Sequence, residues 1–129
     1  MIIDASALIA ILREEPDAER FRRAIATAET RRISAATYVE SAIVIDAARD
    51  PIASRRFDDF LQRTQMEIVP LTASQAKLAR EAYRAFGKGS GHPARLNFGD
   101  CLAYALAKEM DEPLLFKGDD FARAGIDAA

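Results

Sequence analysis

Four short apolar runs punctuate the chain: MIID at the start, RRIS at 31–34, MEIVPL at 66–71 and PLLF at 113–116. Each has strand length, and each is followed by a stretch whose apolar residues recur at helical spacing. SALIAILREE reads as a short apolar helix with Ser6 as its N-cap. PDAERFRRAIATAET reads as a second helix, with Pro16 near its start and Phe21, Ile25 and Ala28 on one face.

After the second strand, SAATYVESAIVIDAARD forms a helix capped by Ser34 and stopped before Pro51. PIASRRFDDFLQRT is amphipathic through Ile52, Phe57, Phe60 and Leu61. Thr72 and Gln75 have capping-box spacing and open the helix ASQAKLAREAYRAF, which Gly87 closes. GKGSGHPARL is a glycine-rich loop, and NFGDCLAYALAKEM is a helix apolar almost all round, hence central. KGDDFARAG gives a turn and a last short helix. Strands alternating with helices imply an α/β sandwich around a mainly parallel sheet.

Length and composition narrow the class. A chain of 129 residues, half of them hydrophobic, is expected to be a single domain spanning 1–129. The opening apolar run has no basic flank and is interrupted by Asp4, so it does not read as a secretion signal. No run has the length of a membrane helix. Cys101 is the only cysteine, which suits a reducing compartment, and a cytoplasmic location is expected.

The net charge of −2 argues against a general nucleic-acid binder. Its distribution changes that picture. Between Ala82 and Gly99 stand Arg84, Lys88, Arg95 and His92 with no acid, a basic segment on an otherwise acidic body.

The acids are placed by the topology. In a parallel α/β sheet the strand C-termini and the helix N-termini share one edge, where ligands bind. Asp4 ends the first strand, Glu40 lies early in the helix after the second, Asp100 opens the helix before the fourth, and Asp119 and Asp120 follow the fourth. All map to one rim. Glu40 shares its helical stripe with Ile43, Val44 and Ala47, and Asp100 with Ala103, Tyr104 and Ala107, which puts carboxylates on faces expected to meet the core.

Each acid also has a plainer role. Asp4 can cap the first helix, Asp100 can serve as an N3 residue after Asn97, Glu40 can sit at a half-exposed helix edge, and Asp119 or Asp120 can cap the last helix. A shared cause accounts for all of them together: a hard divalent cation, Mg²⁺ or Mn²⁺, which prefers carboxylate oxygens. One His and one Cys are too few for the usual zinc ligand sets. Acids holding such an ion beside a basic segment holding a polyanion suggest phosphodiester hydrolysis.

With these motifs in view, the sequence resembles the PIN-domain proteins, specifically the VapC-type toxin ribonucleases. MIIDASALIAIL, SAATYVESAIV, LNFGDCLAYALA and LLFKGDDF carry the resemblance, in the family's order and across essentially the whole chain. It implies a three-layer α/β/α sandwich and an endoribonuclease dependent on Mg²⁺ or Mn²⁺. It further implies a homodimer and a cognate antitoxin as partner. The family's acids fall on Asp4, Glu40 and Asp100, and its supporting hydroxyl on Ser6. The fourth acid falls on Asp119, with Asp120 as the alternative and as the N-cap before Phe121.

Phosphotransfer enzymes that also place Asp after strand one fit poorly. The dehalogenase type wants a second Asp where Ser6 stands, and a receiver domain wants one at the end of MEIVPL. A catalytically weak PIN-like module that binds RNA or protein is the alternative of a different class. His92 is expected to be a flexible surface residue, and Cys101 a small buried hydrophobe.

Overall fold

The computed structural model describes residues 1–129. Its sheet has four strands, β1 (Ile2–Ile3), β2 (Arg32–Ser34), β3 (Glu67–Val69) and β4 (Leu114–Leu115), in the spatial order β3-β2-β1-β4. Every pairing is parallel, with Ile2 opposite both Arg32 and Leu114, and Ile3 opposite Leu115. Seven helices surround it: α1 (Ala5–Leu12), α2 (Ala18–Thr27), α3 (Ala35–Asp46), α4 (Pro51–Arg63), α5 (Ala73–Phe86), α6 (Phe98–Met110) and α7 (Asp120–Arg123).

Period-two alternation in the strands divides the core between two faces. Ile2 and Leu114 join Leu102 and Leu106 of α6, Phe116 and Phe121 on one side. Ile3, Ile33 and Leu115 join Leu8 of α1, Phe21 and Ile25 of α2 and Phe57 of α4 on the other. The result is the expected α/β/α sandwich, with α6 packed most extensively against α5. No helix is long and apolar enough to cross a membrane.

The two ends of the sheet differ in chemistry. At the N-terminal ends of the strands, Glu112 pairs with the Met1 amine and with Arg32, which also bonds Glu67 at 2.9 Å. These cations hold the Glu112 carboxyl below its usual range even though burial opposes them. The opposite end carries carboxylates without such partners.

Local chemistry explains most boundaries and corrects a few. Asp4, not Ser6, caps α1, because its extended backbone lets Oδ2 accept the Ser6 N–H at 2.9 Å. Ser34, Asp50 and Thr72 cap α3, α4 and α5 by the same means. Gln75 does not complete a capping box; its amide donates instead to the Pro70 carbonyl at 3.2 Å. Ile52 is exposed, so the buried stripe of α4 is Phe57 and Leu61.

Candidate active site

Asp4 leaves the central strand β1 and enters α1, so the same turn that caps the helix delivers its carboxylate to the C-terminal rim. It is 3% exposed. The Ser6 hydroxyl donates to Asp4 Oδ2 at 2.6 Å and accepts the Lys117 backbone N–H at 3.0 Å. The turn after β4 is thereby tied through Ser6 to the acid that ends β1. Burial pushes the Asp4 carboxyl up to about 6, against the Ser6 bonds that lower it, and the Asp100 charge adds to the rise.

Asp100 is the N3 residue of α6 and closes a reciprocal capping box. Asn97 Oδ1 accepts the Asp100 N–H at 2.8 Å, and Asp100 Oδ2 accepts the Asn97 N–H at 2.9 Å. The plain capping role and the rim position therefore coexist in one residue. Burial raises its carboxyl, the Asn97 bond opposes this, the Asp120 charge raises it further and Lys88 lowers it.

Glu40 reaches the rim from α3, but not along a core-facing stripe. Ile43 is 63% exposed and Ala47 is exposed; the buried face of α3 is Thr37, Ser41 and Ile45. Glu40 is instead a half-buried edge residue. Burial raises its carboxyl, and the charges of Asp4 and then Asp100 add to the effect.

None of the three carboxylates forms a salt bridge, in contrast to Glu112 at the other end of the sheet. The Asp100 charge raises the Asp4 carboxyl, and the charges of both raise that of Glu40. No group of three His, Cys, Asp or Glu side chains is nevertheless drawn together tightly enough to hold a metal ion as it stands. Three carboxylates without an ion-pair partner on one rim are an all-oxygen donor set suited to a hard divalent cation, and such a cation would offset the repulsion among them.

The acids after β4 are arranged differently from the expectation. Asp119, not Asp120, stands at the N-cap position of α7, and its side chain makes no capping bond. Asp120 is the first residue of the helix, and its charge is the one that reaches Asp100.

The basic segment is exposed at Arg84, Lys88 and Arg95, and none of these three side chains pairs with an acid. Lys88 is close enough to the rim to lower the Asp100 carboxyl. His92 is not the flexible residue expected. Its ring packs edge-on against Phe86 at 4.9 Å, and Nδ1 accepts the Ala94 N–H at 3.1 Å. Cys101 is buried, and burial pushes its thiol up to about 11, far from a nucleophile's range.

Two participants escape a reading of residue types alone. The Lys117 N–H is a backbone group, and no side-chain pattern announces it. Gly99, the second residue of α6, is buried with the Glu40 carboxylate directly over its Cα. A glycine inside an otherwise strong helix pattern was the available signal.

This sheet order and this acidic rim place the chain in a definite class. It matches the PIN domain model over residues 1–127 and belongs to the PIN-domain family. It is 54% identical over 129 residues to VapC ribonuclease Mb0625 of Mycobacterium bovis, covering 100% of this chain and 97% of that one. It is 48% identical over 126 residues to ribonuclease VapC30 of Mycobacterium tuberculosis, covering 98% and 95%. Among solved structures, Mycobacterium tuberculosis VapC20, a sarcin-ricin loop cleaving toxin, superposes with a TM-score of 0.75 at 17% identity over 99% and 97% of the two chains. FitAcB from Neisseria gonorrhoeae does so with a TM-score of 0.74 at 18% identity over 98% and 94%.

Proposed function

We propose that this PIN domain, acting as one unit over residues 1–129, is a divalent-metal-dependent endoribonuclease and the toxin of a toxin–antitoxin pair. The observation that carries the reading is the unpaired carboxylate rim formed by Asp4, Glu40 and Asp100 beside an unpaired basic segment. The ribonuclease names of relatives at 54% and 48% identity support the same activity.

Asp4, Glu40 and Asp100 would hold Mg²⁺ or Mn²⁺, with Asp119 or Asp120 after β4 as the fourth acid; the Asp120 charge, which reaches Asp100, favours Asp120. When bound, the ion supplies orientation of the scissile phosphate and an acidified water. The chain's own residues supply the rest. Ser6 fixes the Asp4 carboxylate through both its N–H and its hydroxyl. The Asn97 N–H orients Asp100. Arg84, Lys88 and Arg95 hold backbone phosphates, which positions RNA without reading its sequence.

The antitoxin is a protein partner that restrains this activity in the cytoplasm, and the toxin acts as a homodimer. An apolar groove of about 640 Å³ between α5 and α6, with Lys88 at its edge, is the face a second copy would cover. Leu71, Tyr83 and Phe98 line it, and Phe98 is 79% exposed. The reading is tested by incubating purified protein with single-stranded RNA and Mg²⁺ or Mn²⁺. Cleavage that needs the cation and is lost in Asp4→Asn is expected. RNA binding without cleavage under every cation would instead indicate the catalytically weak module.

A further inference from the structure

The backbone of Gly99 gives no reason for a glycine. It is helical, unlike Gly89, Gly91, Gly118 and Gly125, which have positive φ. Glycine is among the poorest residues for a helix, so alanine and most other residues with a Cβ would favour α6 more. The reason lies outside the helix. A Cβ built on Gly99 would fall well inside contact distance of Glu40, and the three atoms nearest to it are Oε2, Cδ and Oε1 of that one carboxylate.

Glu40 in turn receives no hydrogen bond and forms no ion pair within the chain, unlike Asp4, held by Ser6, and Asp100, held by Asn97. Packing against the bare Cα is what remains to place it.

We infer that Gly99 is a positioning residue: its missing side chain is the seat of the Glu40 carboxylate, holding it at the rim beside Asp100. The inference rests on the reading of Glu40 as a metal-holding acid. A methyl group at position 99 and a seated carboxylate cannot share the space. The carboxylate is the far end of a flexible side chain, so Gly99→Ala swings it toward water rather than parting α3 from α6. The fold then survives, helped by alanine's helix preference, while the metal-holding set loses a member.

The test is a two-by-two set of proteins: wild type, Gly99→Ala, Glu40→Ala and the double variant. Mn²⁺ affinity is measured by titration calorimetry, and melting temperature without metal. Gly99→Ala is expected to weaken Mn²⁺ binding at least fivefold without lowering the metal-free melting temperature. In the Glu40→Ala background, where the seat is empty, it should change Mn²⁺ affinity less than twofold and raise the melting temperature. Where Glu40→Ala binds Mn²⁺ more weakly than the wild type, wild-type Mn²⁺ affinity in Gly99→Ala, or an equal loss in both backgrounds, overturns the inference. If Gly99→Ala fails to fold while the double variant folds, the conflict with Glu40 is upheld; if both fail, it is overturned. Should Mn²⁺ not bind the wild type, or bind Glu40→Ala equally well, the metal role of Glu40 fails separately. A metal-free crystal structure of Gly99→Ala then decides the seat: a displaced Glu40 carboxylate supports it, and an unmoved one overturns it.

Discussion

The Ser6 hydroxyl joins Asp4 to the turn after β4, donating to Asp4 Oδ2 at 2.6 Å while accepting the Lys117 N–H at 3.0 Å. One short side chain thus couples the end of the central strand to the end of its neighbour. Ser6→Ala removes a charge-assisted bond to Asp4, at a cost of about 1–3 kcal/mol, and leaves the exposed Lys117 N–H to water. A lower melting temperature and at least tenfold slower RNA cleavage are expected. Ser6→Thr keeps the hydroxyl and should restore most of both; no recovery would show that the hydroxyl is not what matters.

Stability without metal should fall as pH rises. The folded Asp4 carboxyl lies at about 6, above its unfolded value of 3.8. The folded state therefore binds this proton more tightly, and its contribution is lost as pH climbs between those values. At 1.36 kcal/mol per unit the loss is roughly 3 kcal/mol, with Glu40 and Asp100 acting in the same direction. Asp4→Asn keeps a capping side chain and should flatten the decline. Denaturant melts at about pH 4.5 and 7.5 capture about two thirds of it; equal slopes for the two proteins would refute the burial argument.

Divalent ions should reverse that loss. Protons and metal compete for the same carboxylates, so the rise in melting temperature with millimolar Mn²⁺ should be larger at about pH 7.5 than at about pH 5. Asp4→Asn should abolish most of the rise. A metal effect that does not change with pH would place the ion elsewhere.

The acids after β4 can be separated. Asp120→Asn should lower cleavage about tenfold, a rise of roughly 1.4 kcal/mol in the activation barrier, whereas Asp119→Asn should stay within about twofold. Neither makes a side-chain capping bond visible at α7, so both melting temperatures should move little. The opposite ranking in single-turnover cleavage would return the fourth position to Asp119.

The basic segment predicts a salt signature. Neutralising Arg84, Lys88 and Arg95 together should weaken RNA binding almost uniformly across sequences. It should also flatten the dependence on salt by about 0.7 per lost single-strand phosphate contact. An unchanged slope in filter-binding titrations would move the RNA path off this face.

The order of strands and helices was legible along the chain because period-two and period-3.6 patterns report which face each residue buries. The convergence of Asp4, Glu40 and Asp100 on one rim followed from topology alone, since parallel strands and their return helices must share an edge. What the chain could not display was contact between distant elements. Whether the stripe of Ile43 meets core or solvent depends on how α3 is rotated against α6, and that is set by packing summed over many residues. The Asp119 and Asp120 side chains differ by one turn position that only the Gly118 turn, at φ 93°, resolves. Gly99 and Glu40 are far apart in sequence, and their contact exists only once two helices close on each other. Residue types and periodicity therefore determined the architecture and the candidate acids, while the tertiary structure decided which groups hold those acids in place, because holding is a matter of distance and not of order along the chain.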